Sequence, residues 1–486
     1  MVVGIFAGVM LASVLLAVLA GRHGKLKRGG ISDFLVGGRT FPAWLIYFLA
    51  VGEVYSIGTM IGFPSGIYVE GAGHGIWFLG YILLAYVIGY FLAPLVWRAA
   101  HRYGAMTVPD VFGRHFSSRK LELMTCATLL LALIPWGQYQ FIGLQVVLSG
   151  LGLPLSPVQS VLIAGLIAFL YIAVSGIRSP AFVSILKDTF MLVGVVAVGL
   201  AAVWAAGGVD DITGATAAVP RDKVTMSGST LGFAMTTIVF QGVVFYFGFG
   251  AAYIFPARSE RAVKSSTVWM PLYMLVFPFL VFAAYFALRH HPDVAEPNQI
   301  FMITARGLLP DWLLGVVAAA AGLSGVLVLA ATALVIGGMV TRNLVPNVRP
   351  AAQRRSTTIM VAGFLVLGAV LTLHASTLML TVLNLTYMLL AQIVPGWFAV
   401  LYARRANSAA ATAGMIVGIA VAVALYIGVG ANLSGINTGL ISLAVNTAVI
   451  VGGSLVRPGH HRDPVALRNP RAGETAAEGQ PEVVST

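Results

Sequence analysis

Two long apolar stretches of this sequence carry groups that hydrocarbon cannot satisfy. The first, Val51-Gly-Glu-Val-Tyr-Ser-Ile-Gly-Thr-Met-Ile-Gly-Phe-Pro64, is interrupted by Gly52, Gly58, Gly62 and Pro64 and holds Glu53, Tyr55, Ser56 and Thr59. The second, Phe245-Tyr-Phe-Gly-Phe-Gly-Ala-Ala-Tyr-Ile-Phe-Pro256, is interrupted by Gly248 and Gly250. Gly and Pro free backbone N–H and C=O groups from the helical ladder. At membrane depth such groups are tolerated only where they line a cavity or meet another polar group. Freed in this way they can hold an ion or a solute, and a pair of interrupted helices in corresponding places of two halves marks a site between repeats. Either stretch alone reads equally as a close-packing position. The pair, separated by five helices, favours transport. Glu53 adds a titratable carboxylate beside the first interruption, where binding and release of a proton could enter a transport cycle. Its alternative role is to cap or pair with a basic group on a cavity wall.

Other polar residues interrupt apolar runs and could line a solute cavity. Pro135-Trp-Gly-Gln-Tyr-Gln140 places Trp136, Gln138 and Gln140 in one helix. Gln241 and Tyr246 lie on the second interrupted stretch, and Asn384, Tyr387 and Gln392 on a later one. Each could equally make one interhelical hydrogen bond. Lys187 and Asp188, near the expected cytoplasmic face with Arg178 nearby, read as a salt-bridged cytoplasmic gate or a snorkelling lysine. The functional alternative has Asp188 lining an ion's exit path.

The elements that must position these residues follow from composition. Of 486 residues, 58% are hydrophobic and only 9% charged, against about 25% charged in soluble domains. Lipid must replace water over much of the surface. The single cysteine, Cys126, excludes an internal disulfide. Apolar runs long enough for a bilayer occur near 2–20, 42–67, 73–97, 121–149, 157–176, 181–206, 229–254, 270–288, 312–341, 356–373, 376–402, 409–430 and 434–455. The chain is therefore an all-α polytopic membrane protein of about 13 transmembrane helices. Val2 to Ala20 has no basic residue ahead of it, while Arg22, Lys25, Lys27 and Arg28 follow it. A secretory signal has the reverse order, so this segment is expected to be retained.

Loop charge fixes an orientation. Every odd-numbered loop is basic, with Arg98, Arg102, Arg114, Arg119 and Lys120 in the third and Arg342, Arg349, Arg354 and Arg355 in the ninth; no even-numbered loop is. This alternation predicts an N-terminus outside and a C-terminus inside. Residues 207–228 have room for a short surface helix. The polar tail 456–486 is expected to be disordered and cytoplasmic.

Several motifs resemble the sodium:solute symporter family. Asp33-Phe-Leu-Val-Gly-Gly-Arg-Thr-Phe-Pro42 looks like the lead into that family's first core helix, and Gly62-Phe-Pro-Ser-Gly66 like its Gly-x-Pro-Gly stretch. Tyr171-Ile-Ala-Val-Ser-Gly-Ile-Arg-Ser-Pro-Ala181 with Lys187-Asp188 is similar to the hairpin before its membrane aspartate, and Thr341-Arg-Asn343 to the end of its eighth core helix. The wording is nearest the monocarboxylate-permease branch. The resemblance covers roughly residues 30–400 and implies a leucine-transporter-like fold, a five-plus-five inverted repeat. On this reading 1–20 is an extra N-terminal helix, 42–206 the first repeat, 229–402 the second, and 409–455 two C-terminal helices.

The resemblance also implies cation-coupled symport of a small organic solute at the plasma membrane, with a monocarboxylate such as lactate, pyruvate or acetate favoured. It places a cation on backbone carbonyls at Gly52 and Tyr55 and on two adjacent hydroxyls of the eighth core helix. Counted back from Thr341, those hydroxyl positions fall on Val328 and Leu329, which cannot coordinate Na⁺. Ser324 lies a turn away and Thr332 is near. Gly52, Glu53, Tyr55, Ser324 and Asp188 are thus the candidate ion-coupling residues, for Na⁺ or H⁺. The candidate solute contacts are Ser56, Thr59, Trp136, Gln140, Gln241, Tyr246, Asn384 and Tyr387. No cofactor and no nucleic-acid partner is expected; membrane lipid is. No arginine lies at mid-membrane depth, which disfavours a multi-carboxylate solute. A uniporter, a symporter of an amino acid, sugar or vitamin, or a membrane enzyme are the alternatives. The enzyme is weakest, because His290-His-Pro-Asp-Val-Ala-Glu296 falls in a loop and no His-Glu-x-x-His occurs.

Overall fold

A computed structural model describes residues 1–23, 30–153, 155–209, 219–345, 348–374 and 378–467. The chain runs α1 (Val2–His23), α2 (Ile31–Val36), α3 (Ala43–Val54), α4 (Phe63–Glu70), α5 (Ala72–Arg102), α6 (Val108–Phe116), α7 (Arg119–Gly150), α8 (Pro157–Ser175) and α9 (Arg178–Ala206). It continues with α10 (Arg221–Val224), α11 (Gly228–Gly248), α12 (Ala251–Ile254), α13 (Glu260–Trp269), α14 (Phe277–His290), α15 (Ile300–Leu308) and α16 (Asp311–Met339). Then follow α17 (Pro350–His374), α18 (Met379–Leu390), α19 (Val394–Tyr402), α20 (Ser408–Val429) and α21 (Thr438–Val456). A two-residue hairpin, β1 (Asn432–Leu433) and β2 (Ile436–Asn437), joins α20 to α21.

Among the described residues, 11 helices are long and apolar enough to cross a membrane. The pair α3 and α4, bent by 43°, makes a twelfth, and the shorter apolar α8 completes the expected set. The span expected at 270–288 belongs to a longer element, α13 and α14 joined through a tight 3₁₀ segment, Met270–Val276. Pro271 and Pro278 have no N–H for the α-ladder, which accounts for the change of pitch. The surface helix expected in 207–228 is α10, only four residues long. Most of the tail lies outside the described residues, but Arg457 to Leu467 folds back on the bundle: Arg462 donates to the Phe116 carbonyl and Val465 is buried.

The helices pack in pairs that exchange under one operation. α5 packs on α11, and correspondingly α13 and α14 pack on α3 and α4. α7 packs on α18 as α16 packs on α9, and α7 packs on α17 as α16 packs on α8. The pairs α7 with α16 and α8 with α17 map onto themselves. That interchange is what two inverted five-helix repeats require. The centre is α16, whose apolar window is 89% buried against 17% for α1.

Glycine permits the closest approaches in this centre. A Cβ on Gly62 would stand 2.5 Å from the Tyr139 hydroxyl but 3.5 Å from the ring carbon that bears it. Tyr139 of α7 therefore fits against the π-turn Gly58–Gly62 because that turn has no side chains facing it. At one end of the bundle α6 starts with a reciprocal cap: the Asp110 N–H donates to the Thr107 hydroxyl, and the Thr107 N–H to Asp110. Asp110 also accepts from Arg342 (3.1 Å) and Asn343 (2.9 Å), which follow α16. Asn343 donates further to Glu122 at 2.7 Å. Burial opposes the Asp110 charge, but the Arg342 guanidinium, the Met106 N–H and the Asn343 amide outweigh it and hold this carboxyl below its ordinary range.

Two measurements test this packing. Gly62→Ala is expected to cost about 1–3 kcal/mol by overpacking, and Tyr139→Phe in the same chain should restore most of the lost thermal stability in detergent. Asp110→Asn leaves Arg342 facing an amide and should cost about 3 kcal/mol. Because the folded-state carboxyl titrates below its unfolded value, its contribution is complete above pH of about 4 and is lost as pH falls through the folded value. The melting-temperature gap between wild type and Asp110→Asn should therefore be constant near neutrality and close in acid.

Candidate functional site

The first interruption is a true break. α3 stops at Val54, and Tyr55 leaves helical geometry at φ −93° and ψ 72°. Its N–H still bonds the Val51 carbonyl, but its own carbonyl points out of the ladder. The Lys187 ammonium of α9 donates to that carbonyl at 2.8 Å and pairs with Asp188 Oδ1 at 2.5 Å. Lys187 is 0% exposed and Asp188 3% exposed. Lys187 lies nine residues into α9, about 14 Å along its axis, and its ammonium turns inward to the break. Tyr273, in the 3₁₀ segment, donates to the Asp188 carbonyl at 2.9 Å. A Cβ on Gly52 would come within 2.9 Å of Ser184 Cβ, so glycine there lets α3 lie close enough to α9 for Lys187 to reach the break.

The remaining residues of this break are used locally. The Ser56 hydroxyl accepts from the Gly58 N–H at 3.1 Å, and the Ser56 carbonyl from the Thr59 N–H at 3.0 Å. Both side chains are buried. The Tyr55 hydroxyl bonds Tyr86 at 2.6 Å. Glu53 points elsewhere. It lines a cavity of about 50 Å³ together with Trp136, Gly248, Phe249 and Thr332, and the cavity extends past Val36 and Met339 to Met106, Thr107 and Val108 of the α6 end. That volume holds a few waters rather than an organic solute. Glu53 has no hydrogen-bond or salt-bridge partner among the described residues, and Lys187 is its close charged neighbour.

The second interruption lies opposite. α11 ends at Gly248, and α12 is a single turn before Pro256. A Cβ on Gly250 would overlap the Tyr246 carbonyl, so only glycine fits there. The chain leading into α3 and the chain leaving α12 are tied by a short parallel bridge: the Phe41 N–H donates to the Pro256 carbonyl and the Arg258 N–H to the Phe41 carbonyl. From the second break a line of rings crosses the centre. Phe249 meets Trp136 at 4.6 Å and Tyr387 at 5.5 Å, and Tyr387 meets Tyr81 at 5.6 Å. Trp136 in turn stacks on Tyr139 at 5.2 Å.

Buried amides accompany the rings. Gln241 donates to Asn384 at 3.4 Å, while the Gln241 carbonyl oxygen and both polar atoms of Gln140 have no partner among the described residues. Tyr246 packs its ring into the space left by Gly89 of α5. Trp136, Gln241, Asn384 and Tyr387 thus fall on the helices around the second break, whereas the Ser56 hydroxyl is used at the first and Thr59 lies buried there. Phe249 and Tyr81 were missed by sequence reasoning. Phe249 sits between the two interrupting glycines, and that placement was the available signal. Gln392 is used in packing, bonded to Ser442 and Asn446.

The oxygen set expected for Na⁺ is not assembled at the first break. Val328 and Leu329 are fully buried hydrocarbon. Ser324 donates to the Ala320 carbonyl at 2.8 Å and faces Met191, so its hydroxyl serves its own helix. Thr332 shares the Glu53 cavity instead. At the end of the bundle away from α6, α4 is clasped: Tyr68 donates to the carbonyls of His291 and Pro292, Ser65 to Asn298, and Lys223 to the Val69 carbonyl. His291 meets Tyr68 through its backbone carbonyl, His290 bonds the Phe286 carbonyl of its own helix, and among the described residues no cluster of three metal-ligating side chains exists.

Residues 34–418 match the sodium:solute symporter family. A symporter of Bacillus subtilis, YhjB, is 26% identical over 93% of this chain and 96% of its own length. A monocarboxylate transport permease protein of Rhizobium johnstonii is 26% identical over 87% of this chain and 89% of its own. A Na⁺-coupled sialic acid symporter, solved in a substrate-bound outward-open state, superposes with a TM-score of 0.79 at 16% identity, over 95% of this chain and 99% of that one. The breaks, the interchanging helix contacts and these likenesses agree on a leucine-transporter-like fold, and the chain belongs to the sodium:solute symporter family.

Proposed function

We propose that the chain couples entry of a cation to symport of a small monocarboxylate, with the solute held between the two helix breaks. The observation that carries this reading is the group of unpartnered amide atoms and aromatic faces on helices that meet at the breaks. A small carboxylate needs a few donors and an apolar wall, and Gln140, Gln241, Asn384, Trp136 and Phe249 supply both. The Rhizobium permease supports a monocarboxylate, and the absence of a buried arginine near the breaks fits a single carboxylate. The repeats are taken as 42–206 and 229–402. The basic loops support a cytoplasmic α6 end, with the N-terminus outside. The Glu53 cavity then opens inward, and the clasp on α4 closes the outer side.

Coupling follows from charge count. Glu53 and Asp188 are two carboxylates beside one ammonium, Lys187. In a low-dielectric interior an uncompensated charge is strongly unfavourable, so the cluster needs one more positive charge. Glu53, partnerless and facing the cavity, is where a proton or a cation from solution would join it.

Reconstituted vesicles test both parts. Glu53→Gln should lower pH-gradient-driven lactate or pyruvate uptake by about tenfold or more, while solute exchange across a membrane without a gradient falls much less. Intact pH-dependent uptake in this variant removes Glu53 as the coupling group. Asn384→Ala and Gln241→Ala should each raise KM by about tenfold, the loss of roughly one hydrogen bond to a charged solute. If no carboxylate, amino acid or sugar in a substrate panel is carried, the symport reading falls.

A further inference from the structure

The first break differs from the second in one respect: a side chain of the protein already satisfies it. The C-terminal end of a helix carries orphan carbonyls and a partial negative charge, and a cation there is favourable. At Tyr55 that cation is Lys187, at hydrogen-bond distance from the carbonyl and locked to Asp188. The groups facing it are accounted for. α3 contributes the Tyr55 carbonyl, Glu53 and, toward Asp188, Tyr47; the 3₁₀ segment contributes Tyr273; on α16 Ser324 is bonded within its helix, Val328 and Leu329 are hydrocarbon, and the Thr332 hydroxyl belongs to the Glu53 cavity. A metal ion at this carbonyl would meet the ammonium and an apolar helix face.

We propose that Lys187 is the resident cation of the first helix break, so that the carbonyl at Tyr55 is closed by the protein's own ammonium and takes no Na⁺. Lys187 is then the residue that sets which cation couples transport: coupling passes to Glu53 and the proton. This rests on the symport reading above, but it is tested separately from it. Removing the ammonium leaves a buried Asp188 carboxylate and an orphan carbonyl. A hydroxyl at the same position would complete a small oxygen cage of the kind alkali cations use at broken helices.

The full-length protein is heated in detergent in choline chloride, with NaCl, LiCl or KCl exchanged for it at fixed pH and ionic strength. Wild type should unfold at the same temperature in all four salts. Lys187→Thr should unfold earlier in choline and regain about 3 °C or more in saturating Na⁺, the shift a newly bound ligand produces. Lys187→Arg, which keeps a cation, should show no Na⁺ response. Saturable stabilisation of wild type by Na⁺, or a folded Lys187→Thr protein indifferent to Na⁺, overturns the proposal. If Lys187→Thr does not fold, wild type and Lys187→Arg decide it, since a Na⁺ response in either is fatal. Uptake separates the two readings. Wild-type uptake that is silent to Na⁺ but driven by pH supports both, and steep Na⁺ dependence with Na⁺ stabilisation keeps symport and discards the resident ammonium. No uptake of any solute with wild type silent to Na⁺ discards symport alone.

Discussion

Breaking a helix inside a membrane exposes polar backbone where no water can compensate, and each such group left unpaired costs several kcal/mol. The structure around Tyr55 is organised to meet that cost. Gly52 lets α9 approach, the approach brings Lys187 to the Tyr55 carbonyl, and Asp188 balances the ammonium. Ser56 takes the Gly58 N–H on the far side of the break, and the bare face of the π-turn receives Tyr139. From Tyr139 the ring stack leads through Trp136 to Phe249 at the second break. The two breaks are thus linked through packed side chains, and the segments that flank them through the bridge at Phe41.

The two ends of the bundle are held differently. At the α6 end, Asp110, Arg342, Asn343 and Glu122 form a charged network in which each carboxylate has several donors. At the other end the α4 clasp is made largely of hydroxyl bonds to backbone carbonyls of 291–292. Neutral bonds of that kind contribute about 1 kcal/mol each and are easily exchanged for water. A fold that must open alternately at its ends needs seals it can undo, and apart from the Lys223 ammonium on Val69 the clasp on α4 is built from weak ones.

Much of this was legible in the sequence. Apolar runs and alternating loop charge gave the spans, because lipid punishes every misplaced charge. The Gly and Pro interruptions located both breaks, since few other residues free the backbone there. What could not be read is which polar side chain meets which. Ser324 looked like a replacement ligand one turn from Val328, but helical rotation points it at Met191, where its hydroxyl returns to Ala320. Lys187 looked like a surface-seeking lysine. Its salt bridge with the adjacent Asp188 was legible, but its other partner, the Tyr55 carbonyl, is a backbone atom that leaves no sequence signature. The division of 270–288 by Met270–Val276 was signalled by Pro271 and Pro278, yet the apolar run masked it.

The presence of two carboxylates and one ammonium in a single buried cluster bears on the membrane voltage. A unit charge that senses the full transmembrane field gains or loses about 2.3 kcal/mol per 100 mV. With one added proton the Glu53, Lys187 and Asp188 group is neutral, and its exposure to either side is indifferent to that field. Without the proton it carries one negative charge, and a cell interior held negative disfavours exposing it inward. A carrier built on this group would bear the same single negative charge when empty as when loaded with a proton and an anion, so the voltage would act equally and oppositely on its two half-cycles and a full turn would move no net charge.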